Sequence, residues 1–245
     1  SISEEEVEML STKREHVSKL PGVKIPEDMV FTSDLEAAVK GRDFIVLAVP
    51  SPFTRSTARK MSPYIPEKQI IVDVAKGIEE DTLMTLSQQI EQEIPQADVA
   101  VLSGPSHAEE VSLGIPTAIV IASEYLDVQH LVQDTFMNEN MRIYTSSDVK
   151  GAELGGALKN IIAFCAGIVA ELNMGDNTFA ALITRGLTEI SRLGVAMGGN
   201  HNTFYGLSGL GDLIVTCLSE HSRNRKAGRC IGRGLTIEET KKEVG

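Results

Sequence analysis

The chain has 245 residues, enough for one large domain or two modest ones. It is 42% hydrophobic and only 4% aromatic, and 34 Asp and Glu against 23 Lys and Arg leave a net charge of −11. That balance allows a substantial core and excludes the chain-wide basic field on which nucleic-acid binding depends. Cys165, Cys217 and Cys230 are odd in number and widely spaced, which reads as reduced thiols. With five scattered histidines and no HExxH or CxxC, no metal is expected.

The opening "SISEEEVEML" is polar and does not start with Met, and the chain stops mid-pattern in "TKKEVG". Both ends therefore read as cut, and a fragment of a longer polypeptide is expected. No signal peptide is expected. The most apolar stretch is interrupted by Lys159 and Asn160, so no run of transmembrane length and no membrane insertion are expected.

The next elements alternate. "DFIVLAV" (43–49), "QIIVDVA" (69–75), "ADVAVLS" (97–103), "PTAIVIAS" (116–123) and "RIYTS" (142–146) are short apolar runs rich in β-branched residues. Helical patterns such as "STARKM" and "DTLMTLSQQIEQEI" fall between them. Runs buried on both faces and joined by helical crossovers predict a mostly parallel α/β sheet, mixed at its later edge. After Lys150 the strand pattern ends, and 151–173, 177–198 and 236–244 carry helical periods. The expected organisation is a Rossmann-like domain over 1–148, partial at its N-terminus, then an all-α domain over 149–245, joined by the polar hinge "TSSDVKG". Nicotinamide-dependent dehydrogenases commonly have this layout. The glycine fingerprint GxGxxG is absent, because "GLSGLGD" and "GRCIGRG" open no βαβ unit.

Five places carry candidate chemistry. In "ELGGALKNIIAFCAGIVAELN", Leu154, Leu158, Ile161, Cys165, Ile168 and Leu172 form an apolar stripe, widened by Ile162 and Val169, with Lys159 beside it. Lys159 is either a lysine snorkelling from a helix rim or a desolvated lysine in a cleft. In the second case its pKa falls by up to roughly 3–5 units and it can take a proton. Gly155 and Gly156, one turn earlier, admit a close neighbour. Lys76 in "VDVAKGIEE" follows a buried strand, where open α/β sheets bind ligands, or is simply an exposed loop lysine. In "VLSGPSHAEEVSLG", Gly104-Pro105 makes a turn and Ser106 with Glu109 fits a capping box that starts a short helix. In "EHSRNRKAGR", Ser222 is an N-cap that puts Arg223 and Asn224 in a first helical turn. With Arg225, Lys226 and Arg229 this is either a phosphate site or a solvated basic face. Asp212 in "GLGDLIVTC" either caps a helix or orients a lysine. Together these features converge on a small phosphorylated alcohol or ketone beside an anionic cofactor.

The motifs "VAKGIE", "SGPSHAEEV", "GGALKNIIA", "AALITRGLTE", "GLGDLIVTC" and "SRNRKAG" resemble, in order and spacing, NAD(P)-dependent glycerol-3-phosphate dehydrogenases of bacterial type over essentially the whole chain. The family's N-terminal glycine motif and C-terminal end have no counterpart here. The resemblance implies reversible hydride transfer between NAD or NADP and C2 of sn-glycerol 3-phosphate, giving dihydroxyacetone phosphate, in a cytoplasmic homodimer that supplies phospholipid synthesis. It implies that Lys159 is the proton acceptor and that Lys76 touches substrate and cofactor. Asp212 would stand beside the catalytic lysine and, with Lys159 itself, contact the substrate. Gly104, Ser106, Ser222, Arg223 and Asn224 would contact substrate, and Phe53, Ala108 and Arg223 the cofactor, with Asn160 and Thr216 in support. The rival expectations are a related hydroxyacid dehydrogenase and an inactive binding module lacking the cofactor fingerprint.

Overall fold

The protein is described by a computed structural model covering residues 3–244. Its elements in chain order are α1 (Glu4–Lys13), α2 (Leu35–Val39), β1 (Phe44–Leu47), α3 (Thr54–Met61), β2 (Ile70–Asp73), α4 (Leu86–Glu93) and β3 (Asp98–Ser103). There follow α5 (Ala108–Ser112), β4 (Thr117–Ala122), α6 (Leu126–Phe136), β5 (Met141–Ser146) and the long α7 (Val149–Glu171). The chain continues with α8 (Gly175–Ala196), α9 (His201–Phe204), α10 (Asp212–Leu218), α11 (Arg223–Gly232) and α12 (Ile237–Val244).

All five apolar runs form strands of one sheet in the order β1-β2-β3-β4-β5. β1, β2 and β3 are parallel, so their carboxyl ends and the loops that follow lie along one edge. β4 runs antiparallel to β3 and parallel to β5, so the sheet is mixed at its later edge as the sequence suggests. One apolar cluster joins β1 and β2 to α3 and α4 through Ile45, Leu47, Met61, Ile71 and Ile90. A second joins the middle strands to α6 through Val72, Leu102, Ile121, Val132 and Ile143. A third lies among α7, α8 and α10, where Leu154, Ile162, Ile190, Leu213 and Phe204 are buried together.

Three expectations are corrected. The pattern over 81–94 reads as one helix, but α4 begins only at Leu86. Leu83 takes a positive φ of 58°, a bridge joins Ile78 to Thr85, and Thr85 with Gln88 forms the capping box. The apolar run in α7 does have the length and composition of a membrane-spanning segment, although more than half of that stretch is packed inside the protein. Finally, the buried face of α7 is rotated from the expected stripe. Ile161 and Leu172 are exposed, whereas Gly155, Gly156, Lys159, Ile162, Ala163 and Ala166 are buried. α8, α10 and α11 all pack on α7, so its buried surface is set by three neighbours rather than by one apolar seam.

Asp148 fixes the start of α7. Its carboxylate accepts from Gly151 N at 2.9 Å as an N-cap, and from Asn200 N (2.8 Å) and Thr203 Oγ1 (2.6 Å) ahead of and within α9. The polar "hinge" is therefore a clamped junction. Beside it, buried Glu153 accepts from Ser87 N (2.8 Å) and Ser87 Oγ (2.5 Å), which ties α7 to α4. Ser103 Oγ donates to Ala152 O at 3.1 Å, which ties α7 to the end of β3.

Candidate active site

The site begins at the carboxyl ends of the parallel strands, where an open α/β sheet presents its crevice. Lys76 lies three residues beyond β2, and its Nζ donates to Gly104 O (2.9 Å) and to Asp212 Oδ2 (2.7 Å). Gly104 ends the run of β3 with φ +138°, a conformation that L side chains rarely adopt, and a side chain there would press on Ile119. Asp212 is the first residue of α10 and is 1% exposed. Its second oxygen accepts from Lys159 Nζ across the helix interface. Thr216 Oγ1, one turn along, donates to Asp212 O at 2.6 Å.

The two glycines ahead of Lys159 make this meeting possible. A Cβ on Gly155 would stand 2.5 Å from the Ser208 carbonyl oxygen, so the turn before α10 packs directly on the backbone of α7. At Gly156 the same atom would crowd Ser103 Oγ (3.2 Å) and the Lys76 stem (3.4 Å). Loss of side chains here brings β3, Lys76, α7 and α10 to one point.

Lys159 is 6% exposed, and the snorkelling alternative falls. Burial, reinforced by the positive charge of Lys76, lowers its pKa to about 8, while the Asp212 carboxylate acts in the opposite direction. Two ammonium groups share one carboxylate, so the centre carries a net positive charge while the chain as a whole is acidic. An anionic ligand is favoured there and the lysine is poised to exchange a proton near neutrality.

α11 starts nearby. Ser222 is buried, and its Oγ accepts from Arg225 N at 3.2 Å, as an N-cap should. The basic cluster divides in the folded chain. Arg225 pairs with Glu220 (2.5 Å), and Arg229 with Glu171 (3.0 Å) and Glu220 (3.3 Å). Arg223 is exposed and has no hydrogen bond or ion pair among the described residues, and half-buried Asn224 follows it. A helix start and a guanidinium unpaired among the described residues are, at this corner, groups that can bind an anion. His221, immediately before, lies 6.2 Å ring to ring from His107 and 3.7 Å from Glu109, which brings this corner beside the loop after β3.

The capping box expected of Ser106 and Glu109 is not formed. α5 begins at Ala108 with His107 as the flanking residue, and Ser106 Oγ turns back to donate to Gly104 O at 3.2 Å. The backbone of Gly104 leaves its carbonyl within reach of both Ser106 and Lys76, and that contact wins over the cap. Ser106 itself is exposed at the mouth, as is Ala108 at the first turn of α5. Phe53 lies after β1 and is 58% exposed. Its turn is close to the Lys76 loop, since a Cβ on Gly77 would meet Ser51 Cβ at 2.7 Å. Asn160 is half-buried beside Lys159 on α7.

The structure thus brings Lys76, Gly104, Lys159, Asp212 and Thr216 into direct contact, and places Ser222, Arg223 and Asn224 beside α5. Phe53 and Ala108 are at the open rim rather than in the contact network. His107 was passed over in the sequence, although its place inside the "SGPSHAEE" loop was the available signal. The second omission is a buried carboxylate. Asp73, the last residue of β2, is fully buried, and burial lifts its pKa to about 7 with Glu153 adding to the rise.

A buried lysine held by an aspartate, together with a helix start that carries an arginine unpaired among the described residues, is the chemistry that proton transfer on an anionic substrate requires. Comparison with known proteins makes this specific. The family model for the NAD-dependent glycerol-3-phosphate dehydrogenase N-terminus matches residues 1–129, and that for the C-terminus matches 148–245. A glycerol-3-phosphate dehydrogenase [NAD(P)+] of Agathobacter rectalis is 60% identical over 244 residues, covering 100% of this chain and 73% of the relative. That of Fusobacterium nucleatum is 54% identical over 246 residues, with 100% and 73% covered. The crystal structure of glycerol-3-phosphate dehydrogenase from Coxiella burnetii superposes with a TM-score of 0.95 at 36% identity, covering 100% of this chain and 75% of the other. The chain belongs to the NAD-dependent glycerol-3-phosphate dehydrogenase family.

Proposed function

We propose that this chain carries the proton-transferring and substrate-binding part of an NAD(P)-dependent dehydrogenase that interconverts sn-glycerol 3-phosphate and dihydroxyacetone phosphate. The observation that carries the reading is the junction of Lys159, Asp212 and Lys76 at the carboxyl edge of the sheet. Family membership names the reaction, and the geometry supports the assignment of roles.

Oxidation of a secondary alcohol needs a base at the hydroxyl, and reduction needs the same group to return the proton. Lys159, lowered to about 8, holds or releases a proton at Nζ near neutrality. Asp212 orients it and keeps the ammonium form accessible, while Lys76 adds positive charge toward the substrate oxygen. Arg223, Asn224 and the start of α11 bind the phosphate, so that binding energy remote from C2 positions the reacting carbon. Gly104 and Ser106 border the substrate from the β3 loop.

The residues present fit a nicotinamide cofactor at the rim. Phe53 offers an open aromatic face after β1, the Oγ1 of neighbouring Thr54 is buried without a partner among the described residues, and Ala108 presents no bulk at the first turn of α5. In this reading Phe53, Lys76, Ala108 and Arg223 hold NAD or NADP, which when bound supplies hydride exchange with the substrate carbon. Residues 1–148 then serve as the cofactor-binding domain and 149–245 as the substrate domain, with α7 spanning from one to the other. The reading carries with it a cytoplasmic homodimer and a supply of glycerol 3-phosphate to phospholipid synthesis.

The test is oxidation of NADH and NADPH by dihydroxyacetone phosphate, followed spectrophotometrically with the natural polypeptide that carries this sequence. Turnover with dihydroxyacetone phosphate and not with unphosphorylated dihydroxyacetone or 2- and 3-keto acids is expected. Turnover of a keto acid instead identifies a hydroxyacid dehydrogenase and contradicts the proposal.

A further inference from the structure

His107 belongs to none of the roles assigned above, yet it stands between the two halves of the site. It directly precedes α5 and is half-buried, and its Nε2 is fully buried with no hydrogen-bond partner among the described residues. On one side the ring is close enough to Lys159, Asp212 and Lys76 to feel their charges. On the other it is 6.2 Å from the ring of His221, which leads directly into Ser222, Arg223 and Asn224. Buried polar atoms in folded proteins almost always find a partner, and an orphan beside a charged centre calls for a partner from outside the chain. Neither His221, which faces Glu109, nor any group of the lysine centre bonds to this nitrogen.

We propose that His107 is a substrate-binding residue whose Nε2 forms a hydrogen bond to an oxygen of the phosphorylated substrate, between the Lys159 centre and the Arg223 corner. The inference rests on the reading of this site as the glycerol 3-phosphate site. Burial, and then the positive charge of Lys159, lower the pKa of His107, so the ring is neutral at physiological pH. A neutral imidazole offers one donor and one acceptor nitrogen. It can therefore serve an alcohol or a ketone oxygen without adding a third cation beside Lys76 and Lys159. Its place at the loop after β3 means that substrate binding fixes the start of α5.

The experiment measures binding of glycerol 3-phosphate by calorimetry to the natural polypeptide and to His107→Phe and His107→Gln. The Phe variant is expected to bind about tenfold more weakly, as for loss of one hydrogen bond, and Gln, which can return a donor and acceptor near the same point, to recover most of the loss. Binding by His107→Phe within twofold of the unsubstituted protein overturns the inference, as does an equal loss in Phe and Gln, which marks a packing role. A readout that needs no substitution is the ¹⁵N chemical shift of the histidine rings. Saturation with glycerol 3-phosphate is expected to move His107 Nε2 and leave exposed His130 on α6 in place, and an unmoved His107 overturns the inference. If the unsubstituted protein does not bind glycerol 3-phosphate, the site reading itself fails and His107 falls with it. If it binds and the His107 readouts do not respond, only the role of His107 fails.

Discussion

The Lys159 ammonium bonds directly to Asp212, 53 residues further along the chain, and the same carboxylate holds Lys76 at 2.7 Å. One carboxylate therefore governs two ammonium groups drawn from different layers of the molecule. Burial lowers the proton affinity of Lys159 most, and the balance between the Lys76 charge and the Asp212 carboxylate adjusts it further.

The first prediction follows from that balance. With Lys159 lowered to about 8, alcohol oxidation rises with pH through an inflection near 8, because the base must be unprotonated. Ketone reduction falls through the same inflection, because the acid must be protonated. Asp212→Asn removes the group that favours the ammonium and moves the inflection downward, whereas Lys76→Met removes a repelling charge and moves it upward. Profiles of kcat/KM against pH, which report the free enzyme, check this, and shifts in the same direction for both variants contradict it.

Arg223 is unpaired among the described residues, unlike Arg225 and Arg229, so its substitution exposes no orphan carboxylate. Arg223→Ala is expected to raise KM for the phosphorylated substrate about 10–100-fold, the worth of a charge-assisted contact. Arg225→Ala, which leaves Glu220 with Arg229 as its remaining ion-pair partner, is expected to act on stability more than on KM. Steady-state kinetics beside thermal unfolding separates the two.

Asp73 gives a stability prediction. Its ordinary pKa is near 3.8 and burial lifts it to about 7 in the folded chain. The folded state then binds more protons than the unfolded state between those values, so stability falls as pH rises through that window and stays lower above 7. The expected loss is on the order of 1–4 kcal/mol. Asp73→Asn is expected to flatten this slope in urea titrations at pH 5 and pH 8, and an unchanged slope contradicts the assignment.

Gly155→Ala tests why two glycines precede the lysine. Alanine adds about 1 kcal/mol of helix propensity, yet its Cβ would lie 2.5 Å from the Ser208 carbonyl oxygen. Overpacking typically costs about 1–3 kcal/mol, so the variant is expected to have a lower Tm and a displaced Asp212. A higher Tm shows that the turn before α10 yields without cost.

Much of this was legible in the residues. All five apolar runs form strands, and the expected burial on both faces holds for β2, β3 and most of β4. Edge strands β1 and β5 leave Val46 and Tyr144 exposed, because no further strand or layer among the described residues covers them. The N-cap at Ser222 is readable because a serine directly before a helical pattern can accept from a free N–H of the first turn, here that of Arg225. The face of α7 was not readable, since three neighbouring helices bury different sides of it and a periodic stripe assumes one. Nor was the fate of Ser106. The capping pattern is local, but the carbonyl of Gly104 that competes for its hydroxyl is set by the strand end and by Lys76. The meeting of Lys76, Lys159 and Asp212 depends on tertiary packing, and only the kinds of residue, not their contact, could be read in advance.

The most direct test of the account is Lys159→Met, assayed for dihydroxyacetone phosphate reduction and, separately, for binding of glycerol 3-phosphate. Methionine keeps the length of the stem and removes the proton carrier. Turnover is expected to fall by about 10²–10⁴-fold while the substrate still binds through Arg223 and Asn224. Turnover within a fewfold of the unsubstituted protein would show that another group carries the proton and would contradict the central claim.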